Sequence, residues 1–265
     1  MKNKKLLSDI KEYLKYYENQ VLEDWYELIR HISVSETGEG IETCCDWIQK
    51  KMEEIGIQVT KYSVKPAPVL VGRFGNDPEK KTVLIYAHYD VKPAGERKLW
   101  HSDPFVPTVR DGKVYARGSA DNKSPLMAHL KALEYFIGRK MEVPVNVIFV
   151  FEGDEECGSR GLEEFLAEHR TELAADLVFF SDGPKDPSGL PIIALGAKGD
   201  LSIHITVETM NRNVHARYAP VLPSAAWQLV EILGKCKSKD KILIPGFEEG
   251  ILPFTKKEIE IMDKL

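Results

Sequence analysis

VNVIFVFEGDEECGS, at residues 145–159, joins seven largely apolar residues to a cluster of acids. A near-continuous apolar run of this length predicts a buried central strand of a parallel sheet rather than a half-exposed strand. Beyond its carboxyl end, where open α/β sheets place their ligand crevice, stand four carboxylates, those of Glu152, Asp154, Glu155 and Glu156. Because like charges this close repel one another, the stretch predicts a divalent cation at this edge.

The sequence on either side of this strand alternates strand and helix patterns. Apolar residues at helical spacing predict helices over residues 4–31, 41–55, 123–138 and 160–169. Strand-like runs bounded by turn residues are IQVTKYSV, VLVGRF, TVLIYAH and DLVFF. This alternation predicts an α/β fold, a mainly parallel sheet with helices on both faces.

The character of the chain changes near Gly199. LSIHITVE, at residues 201–208, alternates apolar and polar side chains, which predicts a strand with one solvated face. A helix that contains a tryptophan is predicted next, at about residues 223–235. We therefore predict a first domain over residues 1–199 and a second over residues 200–265.

Composition and charge argue against some partners and indicate the cellular compartment. The net charge of −5 and the scattered lysines argue against nucleic acid or an anionic membrane as a partner. The first residues, MKNKKLLSDIKEYL, lack the apolar core of a signal peptide. The four cysteines form no CxxC pair, and Cys44 and Cys45 share the apolar face of a helix, as core thiols do. These features predict a cytoplasmic protein.

Acidic and histidine side chains follow the predicted strands or open a helix. His88 ends TVLIYAH, and Asp90, two residues on, can point the same way and orient it. Asp121 opens a helix, and Asp182 follows DLVFF, which reads as a buried strand. One histidine, several carboxylates and no cysteine suit zinc, cobalt or manganese, and bridging carboxylates suit a two-metal site.

Each of these residues also has a simpler interpretation. A lone histidine at a strand end is often structural, an aspartate before a helix is often an N-cap, and Glu152 and Asp154 fit solvated or hydrogen-bonded loop acids. Their coincidence at the carboxyl ends of strands favours a metal site. GxSxG, GxxxxGK[ST] and GxGxxG are all absent, which leaves metal-assisted hydrolysis with a carboxylate as general base.

Four segments resemble the cocatalytic zinc metallopeptidases, a family that includes carnosine and nonspecific dipeptidases, aminoacylase, acetylornithine deacetylase and glutamate carboxypeptidase. The resemblance extends from about residue 20 to the last residue and is closer to the dipeptidase branch than to the deacetylases. It is carried by HYDVKP at 88–93, WHSDPFVPTVRDGKVYARGSADNK at 100–123, EGDEECGSRGL at 152–162 and SDG at 181–183.

The resemblance implies a zinc exopeptidase-like fold and two divalent ions, zinc in the first place, with manganese or cobalt as alternatives. His88, Asp121 and Asp182 would hold the first ion. Asp121 would also bridge to the second, where Glu156 is a further ligand. The peptide bond between Asp121 and Asn122 is expected to be cis.

The resemblance also implies the catalytic roles. Glu155 would be the general base that activates water for hydrolysis of a dipeptide or small peptide, and Asp90 would support His88. Residues 200–265 would begin a lid or dimerisation domain, in which His215 reaches the partner subunit's site of a homodimer. Ala216-Arg217 replaces the small Ser-Gly pair usual after that histidine, so His215 as an exposed loop residue stays open.

Family members continue beyond the point where this sequence stops, and the last zinc-binding histidine, a second-ion ligand, has no counterpart in it. We therefore expect a C-terminally truncated chain. Two hypotheses follow: an enzyme, or an enzyme half completed by a separate C-terminal chain, and an inactive fragment of a split gene. Hydrolysis of N-acyl-amino acids is the alternative to dipeptide hydrolysis within the same family.

Overall fold

A computed structural model of the chain describes residues 2–183, 192, 194, 199 and 201–263. The chain divides into two compact units, Met1–Ile192 and Ile193–Leu265. The predicted boundary residue, Asp200, lies outside the described residues, and the assignment of two domains stays a prediction.

The first unit alternates helices and strands, as its sequence pattern predicts. Its elements are, in chain order, α1 (Lys2–Arg30), α2 (Ile41–Ile55), β1 (Gln58–Tyr62), β2 (Val69–Phe74), β3 (Thr82–His88), β4 (Thr108–Arg110), β5 (Lys113–Tyr115), α3 (Lys123–Gly138), β6 (Asn146–Glu152), α4 (Leu162–Glu168) and β7 (Leu177–Phe180). The second unit contains α5 (Ala225–Cys236), β8 (Lys237–Ser238), β9 (Lys241–Ile242) and α6 (Lys256–Met262).

The main sheet has the strand order β1-β2-β6-β3-β7. β3 pairs in parallel with both β6 and β7, whereas β2 runs antiparallel to both β1 and β6. The α/β class is confirmed, with a sheet that is mixed rather than mainly parallel. The short connection between β1 and β2 explains part of the difference, since parallel neighbours require a crossover of a dozen or more residues.

β6 is the centre of this sheet. All seven of its residues are buried, because β2 and β3 flank it and helices cover both of its faces. On one face the core includes residues of α2, α3 and β6, among them Cys44, Cys45, Leu126, Phe149 and Phe151. On the other face it includes Val69, Leu84, Tyr86, Val150 and Phe165, the last from α4. The prediction of a buried central strand is confirmed.

The helix limits follow local signals in the sequence. α2 and α3 span the predicted residues. α2 ends because Gly56 adopts a φ of 95°, a left-handed conformation that glycine reaches without a steric penalty. Among the described residues, no helix combines the length and the apolar character needed to cross a bilayer.

Two sequence predictions are wrong. β7, the DLVFF strand, is exposed rather than buried, since its four residues are 48% to 61% exposed. Apolar composition leads to burial only where neighbours cover a strand, and in the described part of the chain β7 pairs with β3 alone. LSIHITVE forms no strand over residues 201–208, because a strand exists only through backbone pairing and the described residues provide no partner there.

Candidate metal centre

His88 lies at the centre of the candidate site. It is the last residue of β3, beside Glu152 of β6, and it is fully buried. Its Nδ1 lies 3.3 Å from Oδ1 of Asp90. Because Asp90 occupies the Nδ1 side, the free side of the imidazole is Nε2, as in many metal-binding histidines.

Two further carboxylates converge on this Nε2 atom. Oδ1 of Asp121 lies 2.9 Å from His88 Nε2, and Oδ2 of Asp182 lies 3.3 Å from it. Ligand atoms of the three residues all lie within 4.8 Å of one another. One imidazole nitrogen and two carboxylate oxygens fit zinc, manganese or cobalt, so the donor set matches the predicted first metal site.

A hydrogen bond links the two chain segments that carry the aspartates of this group. The peptide bond between Asp121 and Asn122 is cis, as expected. Nδ2 of Asn122 donates a hydrogen bond of 3.0 Å to the carbonyl oxygen of Ser181, directly before Asp182. The sequence assigned no role to the Asn122 side chain, because no local pattern shows that its amide reaches a residue 59 positions later.

Asp90 joins the histidine to the acid cluster that follows β6. Its Oδ1 and Oδ2 accept hydrogen bonds of 3.1 Å from the backbone N–H groups of Glu155 and Glu156. Burial alone would raise the pKa of Asp90, but hydrogen bonding and charge from His88, with further hydrogen bonds from Ser35 and the Glu156 amide, hold that pKa below its usual value. Asp90 is therefore a buried carboxylate kept ionised by its partners.

The protonation of His88 reflects the same charges. Burial would lower the pKa of His88, but the hydrogen bond and charge of Asp90, with the charges of Glu155 and Asp121, raise it to about 9. The metal-free site thus favours an imidazolium among carboxylates. A cation at Nε2 would take the place of that proton.

Glu155, the predicted general base, lies beside the three-residue group. Its Oε2 is 3.7 Å from His88 Nε2, and its side chain is 36% exposed. Burial raises the pKa of Glu155; the charges of Glu156, Asp182 and Asp90 add to the rise, and His88 opposes it. A partly exposed carboxylate with a raised pKa suits proton transfer.

Glu156, the predicted ligand of a second metal, does not belong to the three-residue group. Its side chain is 13% exposed, and Oε2 lies 3.5 Å from Nζ of Lys92. Lys92 also donates a hydrogen bond to the Glu156 carbonyl oxygen. The role of Lys92 was missed, because a surface lysine in HYDVKP carries no sequence signal for a partner 64 residues away.

The other two acids of the opening stretch have structural partners, as hydrogen-bonded loop acids do. Asp154 accepts hydrogen bonds from Nε and a terminal nitrogen of Arg160 at 2.9 and 2.7 Å. Glu152 accepts from the hydroxyls of Tyr86 at 2.5 Å and Ser159 at 2.8 Å. Both carboxylates are buried rather than solvated.

His215 lies in the second unit, where it precedes a short 3₁₀ helix, Ala216–Tyr218. Its Nδ1 accepts a hydrogen bond of 3.2 Å from the backbone N–H of Arg217, and the residue is exposed. These contacts are those of a loop histidine, and its proposed catalytic role stays a prediction.

A cavity opens beside the ligands within the first unit. Its volume is about 810 Å³, and its lining includes Asp121, Asp182, Trp25, Lys113 and Ser124. The size is within the range of small-molecule sites. The carboxylates of Asp121 and Asp182 therefore line a space large enough for a small molecule.

An imidazole and two carboxylates at the carboxyl edge of an α/β sheet form a ligand set that could hold a metal ion, as in metal-dependent enzymes of this fold class. Residues 84–249 match the model of Peptidase family M20/M25/M40, and the chain belongs to this family. The matched region contains the histidine and both aspartates of the group.

Curated relatives are similar over part of their length. The chain is 35% identical over 196 residues to the Beta-Ala-His dipeptidase of Homo sapiens, which covers 72% of this chain and 39% of the relative. It is 37% identical over 221 residues to the Cys-Gly metallodipeptidase of Schizosaccharomyces pombe, with coverage of 80% and 46%. The chain thus spans less than half the length of these relatives.

A solved structure shares the fold. The M20 family metallo-carboxypeptidase Sso-CP2 of Sulfolobus solfataricus superposes with a TM-score of 0.84 at 32% identity. The match covers 92% of this chain and 56% of that protein. The expected resemblance to metallopeptidases, and to dipeptidases among them, is confirmed.

Proposed function

We propose that the chain contributes the metal site of a dipeptidase, which hydrolyses the peptide bond of dipeptides or small peptides. The observation that carries the proposal is the convergence of His88, Asp121 and Asp182 within 4.8 Å in a member of a peptidase family. The names of the relatives, Beta-Ala-His dipeptidase and Cys-Gly metallodipeptidase, favour dipeptides over N-acyl-amino acids.

The proposal includes two divalent ions, zinc in the first place, with manganese or cobalt as alternatives. His88, Asp121 and Asp182 hold the first, and Asp121 and Glu156 contribute to the second. A bound divalent ion supplies Lewis acidity, which lowers the pKa of water and polarises a carbonyl group. The donor set supports the first ion, whereas the share of Glu156 in the second rests on the sequence resemblance, and its Oε2 lies 3.5 Å from Nζ of Lys92.

Glu155 is the proposed general base. It takes a proton from the attacking water and passes it to the leaving amine. Its raised pKa and partial exposure support this role. Asp90 keeps His88 oriented and holds the backbone of Glu155 through its own carboxylate oxygen.

We also propose that residues 200–265 belong to a lid or dimerisation domain and that the active form is a homodimer. In that dimer, His215 would polarise the scissile carbonyl in the partner subunit's site. The support is the sequence resemblance around His215 together with its exposed position.

The test is hydrolysis by the purified chain with zinc, manganese or cobalt. Substrates are Cys-Gly, Beta-Ala-His and other dipeptides, with N-acetyl-amino acids as the alternative class. Glu155→Gln should lower dipeptide turnover about 100-fold to 10,000-fold, the usual contribution of a general base. Glu163→Gln, an exposed acid on α4, is the matched control and should leave turnover unchanged.

Three results would contradict parts of this proposal. Turnover of N-acetyl-amino acids without dipeptides would replace the substrate class. Equal turnover by Glu155→Gln and the unchanged chain would remove Glu155 as the base. Metal binding without any turnover would argue against catalysis by this chain alone.

A further inference from the structure

Lys123 is a buried cation next to the metal centre. It is the first residue of α3 and lies two positions after Asp121. Only 1% of the residue is exposed. Its aliphatic stem passes Gly118 so closely that a Cβ at Gly118 would lie 3.2 Å from Cδ of Lys123. The loop that carries Asp121 therefore packs directly against this side chain.

The ammonium group of Lys123 binds the end of another helix. Nζ donates hydrogen bonds to the carbonyl oxygens of Leu28 at 3.2 Å and His31 at 2.5 Å. These carbonyls lie at the C-terminal end of α1, where helix carbonyls lack intrahelical partners and the helix dipole favours a cation. Lys123 thus ties the Asp121 loop to the end of α1.

The residues that follow α1 also hydrogen-bond to the segment directly after His88. The hydroxyl of Ser33 donates a hydrogen bond of 2.7 Å to the carbonyl oxygen of Tyr89. The backbone N–H of Val91 donates one of 2.8 Å to the carbonyl oxygen of Ser33. Residues 28–34 together with Lys123, here termed the α1 brace, therefore contact both the Asp121 loop and residues 89–91.

We propose that Lys123 is a positioning residue, which fixes Asp121 relative to His88 through the α1 brace. The inference rests on the proposed metal site, because its effect is exerted on two ligands of that site. Groups that hydrogen-bond to metal ligands typically change metal affinity about 10-fold to 100-fold when they are replaced. Lys123 acts on the backbone of the Asp121 loop rather than on a ligand atom, so an effect at the lower end of this range, about 10-fold, is expected.

The decisive variant is Lys123→Met. Methionine has a similar length and no charge, so it fills the same buried space without the ammonium. The carbonyl oxygens of Leu28 and His31 lose their donor in this variant, so some loss of stability is expected. A purely structural lysine would show only that loss, whereas a positioning lysine also weakens metal binding.

Lys131→Met is the matched control. Lys131 lies eight residues further along α3, is 8% exposed, and also binds α1, through Asp24. The hydrogen bonds described for Lys131 involve neither the Asp121 loop nor residues 89–91. The measurements are the zinc dissociation constant by competition with a chelator, the visible spectrum of the cobalt form, and the unfolding midpoint of the metal-free chain.

Lys123→Met should weaken zinc binding about 10-fold and alter the cobalt spectrum. It should also lower the metal-free unfolding midpoint, because two carbonyl oxygens lose their donor. Lys131→Met should keep the zinc affinity and the spectrum of the unchanged chain. Ser33→Ala, which removes the hydrogen bond at the other end of the α1 brace, should weaken zinc binding in the same direction. This variant carries the test if Lys123→Met does not fold.

Equal zinc affinity in Lys123→Met and the unchanged chain would overturn the inference and leave the metal site intact. The same holds if Lys131→Met loses as much affinity as Lys123→Met, or if Ser33→Ala binds zinc normally. Failure of the unchanged chain to bind zinc is a different result: it would overturn the proposed function itself, and the inference with it.

Discussion

His88 shows how far single residues could be predicted. Its place at the end of an apolar run, with Asp90 two residues on, made it a candidate only together with the other acids, and the family resemblance implied its role as a metal ligand. The sequence could not show that both carboxylate oxygens of Asp90 also accept hydrogen bonds from the Glu155 and Glu156 amides. That contact spans 65 residues of chain, and no local pattern encodes it.

At the residue scale, zinc binding should release a proton. Because the carboxylates raise the pKa of His88 to about 9 in the metal-free chain, His88 is largely protonated at pH 7, and a metal binds only the neutral ring. Zinc affinity should therefore rise with pH up to about pH 9 and then level off with respect to His88. Calorimetry at pH 7 in buffers of different ionisation enthalpy measures the released protons.

The control for this linkage is His204→Ala, which removes an exposed histidine outside the site and should release the same number of protons. A zinc affinity that is constant between pH 7 and pH 9 would contradict the protonation assigned to His88.

At the scale of elements, periodicity predicted α2, α3 and β3 with their observed limits, because apolar spacing and breakers such as Gly56 act locally. The burial of an element depends on its neighbours, which is why DLVFF was predicted as a strand correctly and as a buried strand wrongly. Contacts between helices were also beyond sequence reasoning. Asp24 of α1 binds Lys51 of α2 at 3.0 Å and also Lys131 of α3.

Asp24→Asn should destabilise the packing of these three helices. Burial would raise the pKa of Asp24, but its bonds to Lys131 and Lys51 hold that pKa below the usual value. The carboxylate therefore stabilises the fold above about pH 4, and the contribution disappears as the pH falls through the lowered pKa. We expect a loss of about 1–3 kcal/mol in the free energy of unfolding at pH 7, measured by urea denaturation.

Asp46→Asn is the matched control, since Asp46 pairs with Lys61 at 2.6 Å but its side chain is 64% exposed. It should cost less than about 1 kcal/mol. Equal losses in the two variants at pH 7, or a loss for Asp24→Asn that does not shrink as the pH falls below about 4, would contradict the assigned role of Asp24.

At the scale of the whole molecule, the α/β class followed from the alternation of strand and helix patterns. The edge that carries the site followed from the rule that ligands bind beyond the carboxyl ends of the strands. The antiparallel placement of β2 between β1 and β6 did not follow, because apolar runs specify strands without their order or direction. The resemblance to metallopeptidases supplied roles for Glu155 and Glu156 that spacing alone left open. The contacts of the α1 brace join residues that are far apart in the sequence, so only the three-dimensional structure shows them.

The central claim is that one metal ion binds at His88, Asp121 and Asp182. Its most direct test is the zinc content of the purified chain after dialysis against a low zinc concentration, measured by atomic emission. The unchanged chain and His204→Ala should retain one tightly bound zinc per chain, whereas His88→Ala and Asp182→Asn should lose it. Equal zinc content in His88→Ala and the unchanged chain, or none in either, would contradict the claim.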